Sequence, residues 1–141
     1  MTVRFADVSV GTELPTQTFP LERATLVRYA GASGDFNPIH WDERTAKAVG
    51  LPDVIAHGML TMATAVRVVT DWVGDPGAVV DYKVRFSKPV VVPPDAATPL
   101  EVRAVVRSLD ESDRTAEIQL TASVPGQTVL TKARVRVRLA S

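Results

Sequence analysis

Residues 56–73 read AHGMLTMATAVRVVTDWV and form an almost unbroken run of Met, Leu, Ala, Val and Thr. The formal charges in this stretch belong to Arg67 and Asp71, and Gly74 follows it as a stop signal. A segment that is apolar around most of its circumference predicts a helix that is buried on most sides. We expect the rest of the chain to fold around this helix.

Four segments downstream of the helix are enriched in β-branched residues or alternate between apolar and polar positions, as strands do. They are residues 79–92, 100–109, 115–124 and 129–139. Turn-forming residues separate them, including Pro93-Pro94 and Pro125-Gly126. The pattern predicts antiparallel strands joined by short turns.

The segment before the helix predicts smaller elements. A short strand is expected at residues 16–19, closed by Pro20, and an amphipathic helix at residues 21–32. Residues 42–49 fit one or two helical turns that are capped by Asp42. Between these two helices the sequence is too rich in Gly, Pro and Asn for a regular helix, which indicates a structured loop.

This order of elements favours the α+β class, because the helices precede the strands and do not alternate with them. The expected architecture is a single curved antiparallel sheet that wraps around the central apolar helix. With 141 residues and no long linker, residues 1–141 fit one domain that can bury its own core.

Charge and composition exclude several functions. The 16 basic and 16 acidic side chains cancel, so the chain has no general attraction for nucleic acid or for an anionic membrane. The absence of cysteine removes disulfides, thiolate zinc sites and a cysteine nucleophile. The N-terminal residues lack the apolar core of a secretory signal, and no run reaches the ~20 apolar residues of a membrane span. We expect a cytoplasmic protein.

One loop combines the groups that acid–base chemistry needs. It reads Gly34-Asp35-Phe36-Asn37-Pro38-Ile39-His40 and places a carboxylate, a carboxamide and an imidazole within six residues. Pro38 stiffens the loop, which suits it to directing several polar groups at one small target. The same residues also fit a plain turn in which Asp35 and Asn37 make local hydrogen bonds and His40 is half-buried.

Residues 29–40, with Ala46 six positions further on, resemble the hydratase 2 signature of the MaoC-like dehydratase family, the (R)-specific enoyl-CoA hydratases. Residues 54–60 resemble the second conserved block of that family. Nearly the whole chain also resembles the mycobacterial HadB-type subunit of the (3R)-hydroxyacyl-ACP dehydratases. The resemblance implies a hot-dog fold in which the helix from about Ala56 lies at the centre of the sheet.

The resemblance implies a role for each site residue. Asp35 and His40 hold and polarise a water molecule, Asn37 supports their geometry, and the backbone amide of Gly58 receives the charge on the thioester oxygen. The implied reaction is the reversible addition of water to a trans-2-enoyl thioester, which yields the (R)-3-hydroxyacyl thioester of coenzyme A or of an acyl carrier protein. Such a reaction needs a base, an acid and an oxyanion donor.

The second histidine, His57, is expected to fix the loop through hydrogen bonds and not to act on substrate. With two histidines and no cysteine, a three-histidine or thiolate metal site is impossible. A two-histidine carboxylate site would require His57 to converge with Asp35 and His40. We expect no metal and no cofactor, because coenzyme A or phosphopantetheine is part of the substrate.

Two further groups of residues are candidates for substrate binding. Met62, Val66 and Val69 fall on related faces of the central helix, where most side chains are core. The resemblance implies that this helix also borders an acyl tunnel, so these three are candidates for tunnel residues. Lys83 and Arg85 lie on a basic strand face, which fits either a solvated outer surface or a patch for coenzyme A phosphates or an acidic carrier protein.

Alternative functions remain open from the sequence. A hot-dog protein can also be an acyl-thioesterase, although the proline-bearing loop argues against that activity. A third alternative is an acyl-thioester-binding accessory subunit of a two-chain dehydratase, although the intact catalytic set argues against it. We expect a homodimer or a heterodimer with a second hot-dog subunit, and neither nucleic acid nor membrane as a partner.

Overall fold

Five antiparallel strands form one sheet in the order β1-β3-β4-β5-β2. They are β1 (Glu13–Leu21), β2 (Val79–Phe86), β3 (Thr98–Asp110), β4 (Thr115–Val124) and β5 (Gln127–Arg138). The computed structural model describes residues 2–141, so only the first residue of the predicted domain lies outside the described residues. Register shifts interrupt each strand pairing, and such bulges bend the strands.

Within residues 2–141, three α-helices accompany the sheet: α1 (Arg23–Ser33), α2 (Glu43–Ala48) and α3 (Gly58–Val73). Helix α3 contacts all five strands, and its buried residues recur at helical spacing on the face that meets the sheet. It ends at Gly74, whose φ of 76° is in the left-handed region that favours glycine. None of the helices within residues 2–141 is both long and apolar enough to cross a membrane.

The α+β class and the antiparallel sheet packed on a central helix are confirmed, and the arrangement is a hot-dog fold. The predicted strand at residues 79–92 is wrong in its second half, because β2 ends at Phe86. Pro89 follows soon after and has no amide proton to donate to a strand ladder. Residues 90–92 leave β2 and pair instead with residues 54–56, through Ala56 N–H to the Val90 carbonyl at 2.8 Å.

That pairing moves the start of the central helix. Residues 54–56 are held extended, so α3 begins at Gly58 and not at residue 56. Arg23 anchors the same region from the start of α1. Its guanidinium donates to the Val92 carbonyl at 2.6 Å and forms ion pairs with Glu43 at 3.1 Å and Asp53 at 2.9 Å. The segment that leads into α3 is therefore held by the pairing with residues 90–92 and by the contacts of Arg23.

Strand β1 is longer than the sequence predicts, since it includes Pro15 and Pro20. Both are tolerated because β1 lies at an edge of the sheet, where not every amide needs a partner. Leu21 was expected in the first helix, but it ends β1 and is buried. Helix α1 consequently starts at Arg23.

Candidate active site

The loop after α1 is shaped by short-range hydrogen bonds. Gly34 ends the helix with a φ of 75°, and the Asp35 amide donates to the Ser33 hydroxyl at 3.2 Å. Asp35 Oδ1 accepts the Asn37 amide at 3.1 Å, and Asn37 Oδ1 accepts the Ile39 amide at 3.2 Å. These bonds occupy one carboxylate oxygen of Asp35 and leave Oδ2 available.

His40 is buried and has a defined tautomer. Its Nδ1 lies 2.6 Å from the Ile55 carbonyl oxygen. Because a carbonyl only accepts hydrogen bonds, Nδ1 is assigned as the protonated nitrogen, and in the neutral ring Nε2 carries the free lone pair. This Nε2 lies 3.9 Å from Asp35 Oδ2, too far for a direct hydrogen bond but suited to sharing one water molecule.

The two catalytic candidates differ in exposure. The His40 side chain is 8% exposed, whereas the Asp35 side chain is 51% exposed. A buried imidazole therefore faces a carboxylate that is half exposed to solvent. Asn37 lies between them in sequence and holds the turn at residues 38–40, so its geometry fits the supporting role that the resemblance implies.

His57 lies beneath this pair and is 1% exposed. Its ring stacks on that of His40 with centroids 3.8 Å apart and an interplanar angle of 22°. Its Nε2 donates to the backbone carbonyl of Asp35 at 3.1 Å, which agrees with the expectation that it fixes the loop. Burial lowers the pKa of His57, and this effect outweighs the hydrogen bond to the Asp35 carbonyl, which raises it.

Asp35, His40 and His57 converge, which the sequence alone left open. Potential ligand atoms from the three side chains lie within 4.8 Å of one another. A metal ion must lie near the plane of each imidazole that binds it, and two nearly parallel rings stacked 3.8 Å apart cannot both meet that condition at one ion. The arrangement favours proton transfer over metal binding.

Gly58 begins α3 directly after His57. The first amides of a helix have no partner inside the helix, and the helix dipole makes this end attractive to negative charge. A Cβ at this position would lie 3.1 Å from the Phe86 ring, so the close approach suits glycine. Gly58 also lines a cavity of about 380 Å³, together with Ile55, whose carbonyl anchors His40, and with Thr61 and Phe86.

The three candidate tunnel residues do not line this cavity. Val69 is completely buried in the core, while Met62 and Val66 are partly buried. The Met62 carbonyl accepts a hydrogen bond from the Tyr82 hydroxyl at 2.7 Å, and burial raises the pKa of Tyr82. A role for these three residues in acyl binding stays a prediction.

The basic candidates lie on the exposed edge strand β2. Lys83 is 79% exposed and lies 3.6 Å from Asp81, which partly neutralises it, and Arg85 is also exposed. Lys88, which sequence reasoning missed, lines the cavity that contains Gly58. The turn signal at Pro89 is the feature that could have directed attention to Lys88. Roles for Lys83 and Arg85 in phosphate or carrier binding stay predictions.

Dehydratases are among the relatives that match this chain. The 3-hydroxyacyl-thioester dehydratase X of Mycobacterium tuberculosis is 42% identical over 82 residues, which is 58% of this chain and 28% of that protein. The 3-hydroxybutyryl-CoA dehydratase of Methylorubrum extorquens is 31% identical over 128 residues, which is 89% of this chain and 78% of that protein. The chain thus spans just over a quarter of the first relative and most of the second.

Solved structures agree with the sequence matches. A MaoC-like dehydratase is 47% identical with a TM-score of 0.96, over 99% of this chain and 43% of that one. A chain of the ChsH1-ChsH2 complex from Mycobacterium tuberculosis is 21% identical with a TM-score of 0.81, over 94% of this chain and 98% of that one, and shows the fold alone. The family model of the MaoC like domain matches residues 5–135. The chain therefore belongs to the MaoC-like domain family.

Proposed function

We propose that this chain is a hydro-lyase that interconverts trans-2-enoyl and (R)-3-hydroxyacyl thioesters. The observation that carries the proposal is the 3.9 Å separation between Asp35 Oδ2 and His40 Nε2, with the free lone pair of His40 left on Nε2 by the Ile55 hydrogen bond. The dehydratases among the relatives support the same reaction class.

The geometry suggests how water is added. A water molecule held by Asp35 and His40 attacks C3 of the enoyl group and gives up a proton to His40 Nε2. The electron pair of the double bond moves toward the thioester oxygen, where the Gly58 amide at the start of α3 is the proposed donor. A proton from the same pair then reaches C2. Dehydration follows these steps in reverse.

Hydration of crotonyl-CoA tests the proposal. Asp35→Asn and His40→Ala are expected to abolish the loss of enoyl absorbance, because each removes a proton-transfer group worth about 10²–10⁴ in rate. Asp95→Asn is the matched control for Asp35→Asn, since exposed Asp95 lies beside the start of α1, whereas Asp35 follows the other end of that helix, and its change removes the same charge. Unchanged turnover in the Asp35 and His40 variants contradicts the proposal. Release of free thiol without loss of enoyl absorbance contradicts it too, and indicates a thioesterase.

We also propose that the site operates against a second hot-dog unit in a homodimer. Phe36, Trp41 and Met59 lie in or beside the site and are 63%, 52% and 56% exposed, an apolar group that a partner would cover. The ChsH1-ChsH2 structure is a complex of two different proteins, which makes a heterodimer the competing arrangement. Light scattering on the purified chain is expected to give twice the chain mass. An inert monomer that gains activity with a second subunit contradicts the homodimer.

The proposal also covers the substrate carrier, the acyl length, the cofactor and the location in the cell. The substrate carrier is coenzyme A or an acyl carrier protein, with Lys83 and Arg85 as candidates for its charged groups. Met62, Val66 and Val69 are candidates for setting acyl length. The proposal includes no cofactor, since a carboxylate and an imidazole supply both proton transfers. The neutral, cysteine-free composition supports a cytoplasmic location.

A further inference from the structure

His57 combines features that burial alone does not explain. It is 1% exposed, and its Nδ1 is buried without a hydrogen-bond partner among residues 2–141. Buried polar atoms are normally satisfied, so an unsatisfied one is retained against a cost in stability. The ring makes three other contacts: His40 stacks on one face, the Tyr29 ring lies at a steep angle with its centroid 4.8 Å away, and Nε2 donates to the Asp35 carbonyl.

We propose that His57 is a positioning residue that must stay uncharged, holding both Asp35 and the His40 ring in the geometry that binds the reacting water. This inference rests on the proposed hydro-lyase function. The hydrogen bond from His57 Nε2 fixes the backbone of the residue that carries the carboxylate. The stacked ring fixes the plane of His40, while the Ile55 carbonyl fixes its rotation. One buried ring thus positions both reacting groups.

The charge state of His57 matters because His40 takes up a proton during turnover. A second imidazolium with its centroid 3.8 Å away would oppose that step. The groups that face His57 are the Asp35 loop, His40 and the Tyr29 ring of α1. A proton on Nδ1 would find no acceptor among the described residues, so the surroundings favour the neutral Nε2–H form. Burial lowers the pKa of His57 in the same direction.

Three substitutions separate positioning from packing. His57→Phe keeps a flat ring beneath His40 but removes the donor to Asp35. His57→Gln places an amide N–H near the position of Nε2, whereas His57→Asn places its amide near Nδ1, too far back to reach the Asp35 carbonyl. We expect kcat for crotonyl-CoA to fall about 10- to 100-fold in the Phe and Asn variants, with KM nearly unchanged and part of kcat restored by Gln.

Imidazole ¹⁵N spectra provide a readout that does not depend on activity. The chain has two histidines, so the spectrum contains two rings, and the Gln variant assigns them. At pH 6.5, where an ordinary imidazole is half protonated, we expect His57 to be mainly in the neutral Nε2–H form and the neutral form of His40 to be Nδ1–H. In the Asn variant, which loses the stacked ring, neutral His40 is expected to become a mixture of tautomers, whereas the Phe variant should keep the Nδ1–H form because the Ile55 carbonyl and a flat ring remain.

The outcomes distinguish this inference from the proposed function. It is overturned if His57 titrates as an ordinary exposed imidazole, if its neutral form is Nδ1–H, or if the Asn variant is as active as the Gln variant. If the Phe or Asn variant does not fold, the wild-type and Gln spectra still decide the protonation of both rings. A wild-type chain that shows the expected tautomers but does not hydrate enoyl thioesters contradicts the proposed function, and it supports only the neutral, hydrogen-bonded state of His57.

Discussion

The body of α3 and its N-terminal end are held in place by different kinds of interaction. The body of α3 meets the sheet through apolar side chains such as Val68, Val69 and Val73, which are 0–1% exposed. The N-terminal end meets the polar loop through a stacked pair of histidines and single hydrogen bonds. Burial of apolar area is non-directional, whereas hydrogen bonds and ring stacking depend on exact angles and distances. The body of α3 should therefore determine stability, and the N-terminal end should determine activity.

The largest expected effect sharpens this contrast at the N-terminal end. Asp35→Asn and His40→Ala are each predicted to lower kcat about 10²–10⁴-fold, and the double variant should lose little more than the worse single one. The reason is that both groups act on one water molecule. Crotonyl-CoA kinetics on the three variants test this. Fully multiplicative losses would show that the two groups act in separate steps.

A substitution in the sheet that the body of α3 covers should have the opposite result, a loss of stability without a loss of activity. Ile118 on β4 is 0% exposed, so Ile118→Ala should lower the free energy of unfolding by about 2–5 kcal/mol while kcat of the folded protein stays unchanged. Thr121→Ala on the exposed face of the same strand is the control and should change stability by less than about 0.5 kcal/mol. Urea denaturation measures both. A proportionate loss of kcat in Ile118→Ala would show that core and site are not separable.

Gly58 lies where the body of α3 joins its N-terminal histidine, and its substitution should have a smaller effect on kcat. Gly58→Ala introduces a Cβ 3.1 Å from the Phe86 ring, which shifts the amide proposed to bind the oxyanion. We expect kcat to fall about tenfold, since sub-ångström displacement at a reacting centre is costly. Phe86→Leu in the Gly58→Ala background should restore part of the loss by making room. Full activity of Gly58→Ala would remove Gly58 from the proposed site.

The smallest expected effect is the pH dependence of stability. The ordinary pKa of His57 is 6.5, and burial lowers it in the folded chain. Below pH 6.5 the unfolded chain therefore binds more protons than the folded one, so the free energy of unfolding falls as the pH falls toward the folded pKa. His57→Gln should show a shallower decrease, by at most about 1.4 kcal/mol per pH unit for one proton. Denaturation of both proteins at pH 5 to 8 measures the difference, and parallel curves would contradict it.

The sequence pattern was sufficient to predict those features that depend on short-range or non-directional interactions. The apolar run at residues 56–73 and the alternating segments after it predicted the helix, the strands and the α+β class. The polar loop was recognisable because Asp35, Asn37 and His40 lie within six residues, and its short-range hydrogen bonds join residues only two apart. The element boundaries were less accurate, because Pro15 and Pro20 are tolerated only by the edge position of β1.

By itself, the sequence determined the buried helix, the strand-rich second half and the group of residues that resembles a hydratase signature. Tertiary structure alone decided that residues 90–92 leave β2 to pair with residues 54–56, and that His57 stacks beneath His40. It also decided which nitrogen of His40 carries the free lone pair, through the carbonyl of Ile55, fifteen residues away. Hydrophobic periodicity can be read from the sequence because it involves neighbouring residues. A directional contact between distant residues exists only once folding has brought its two partners together.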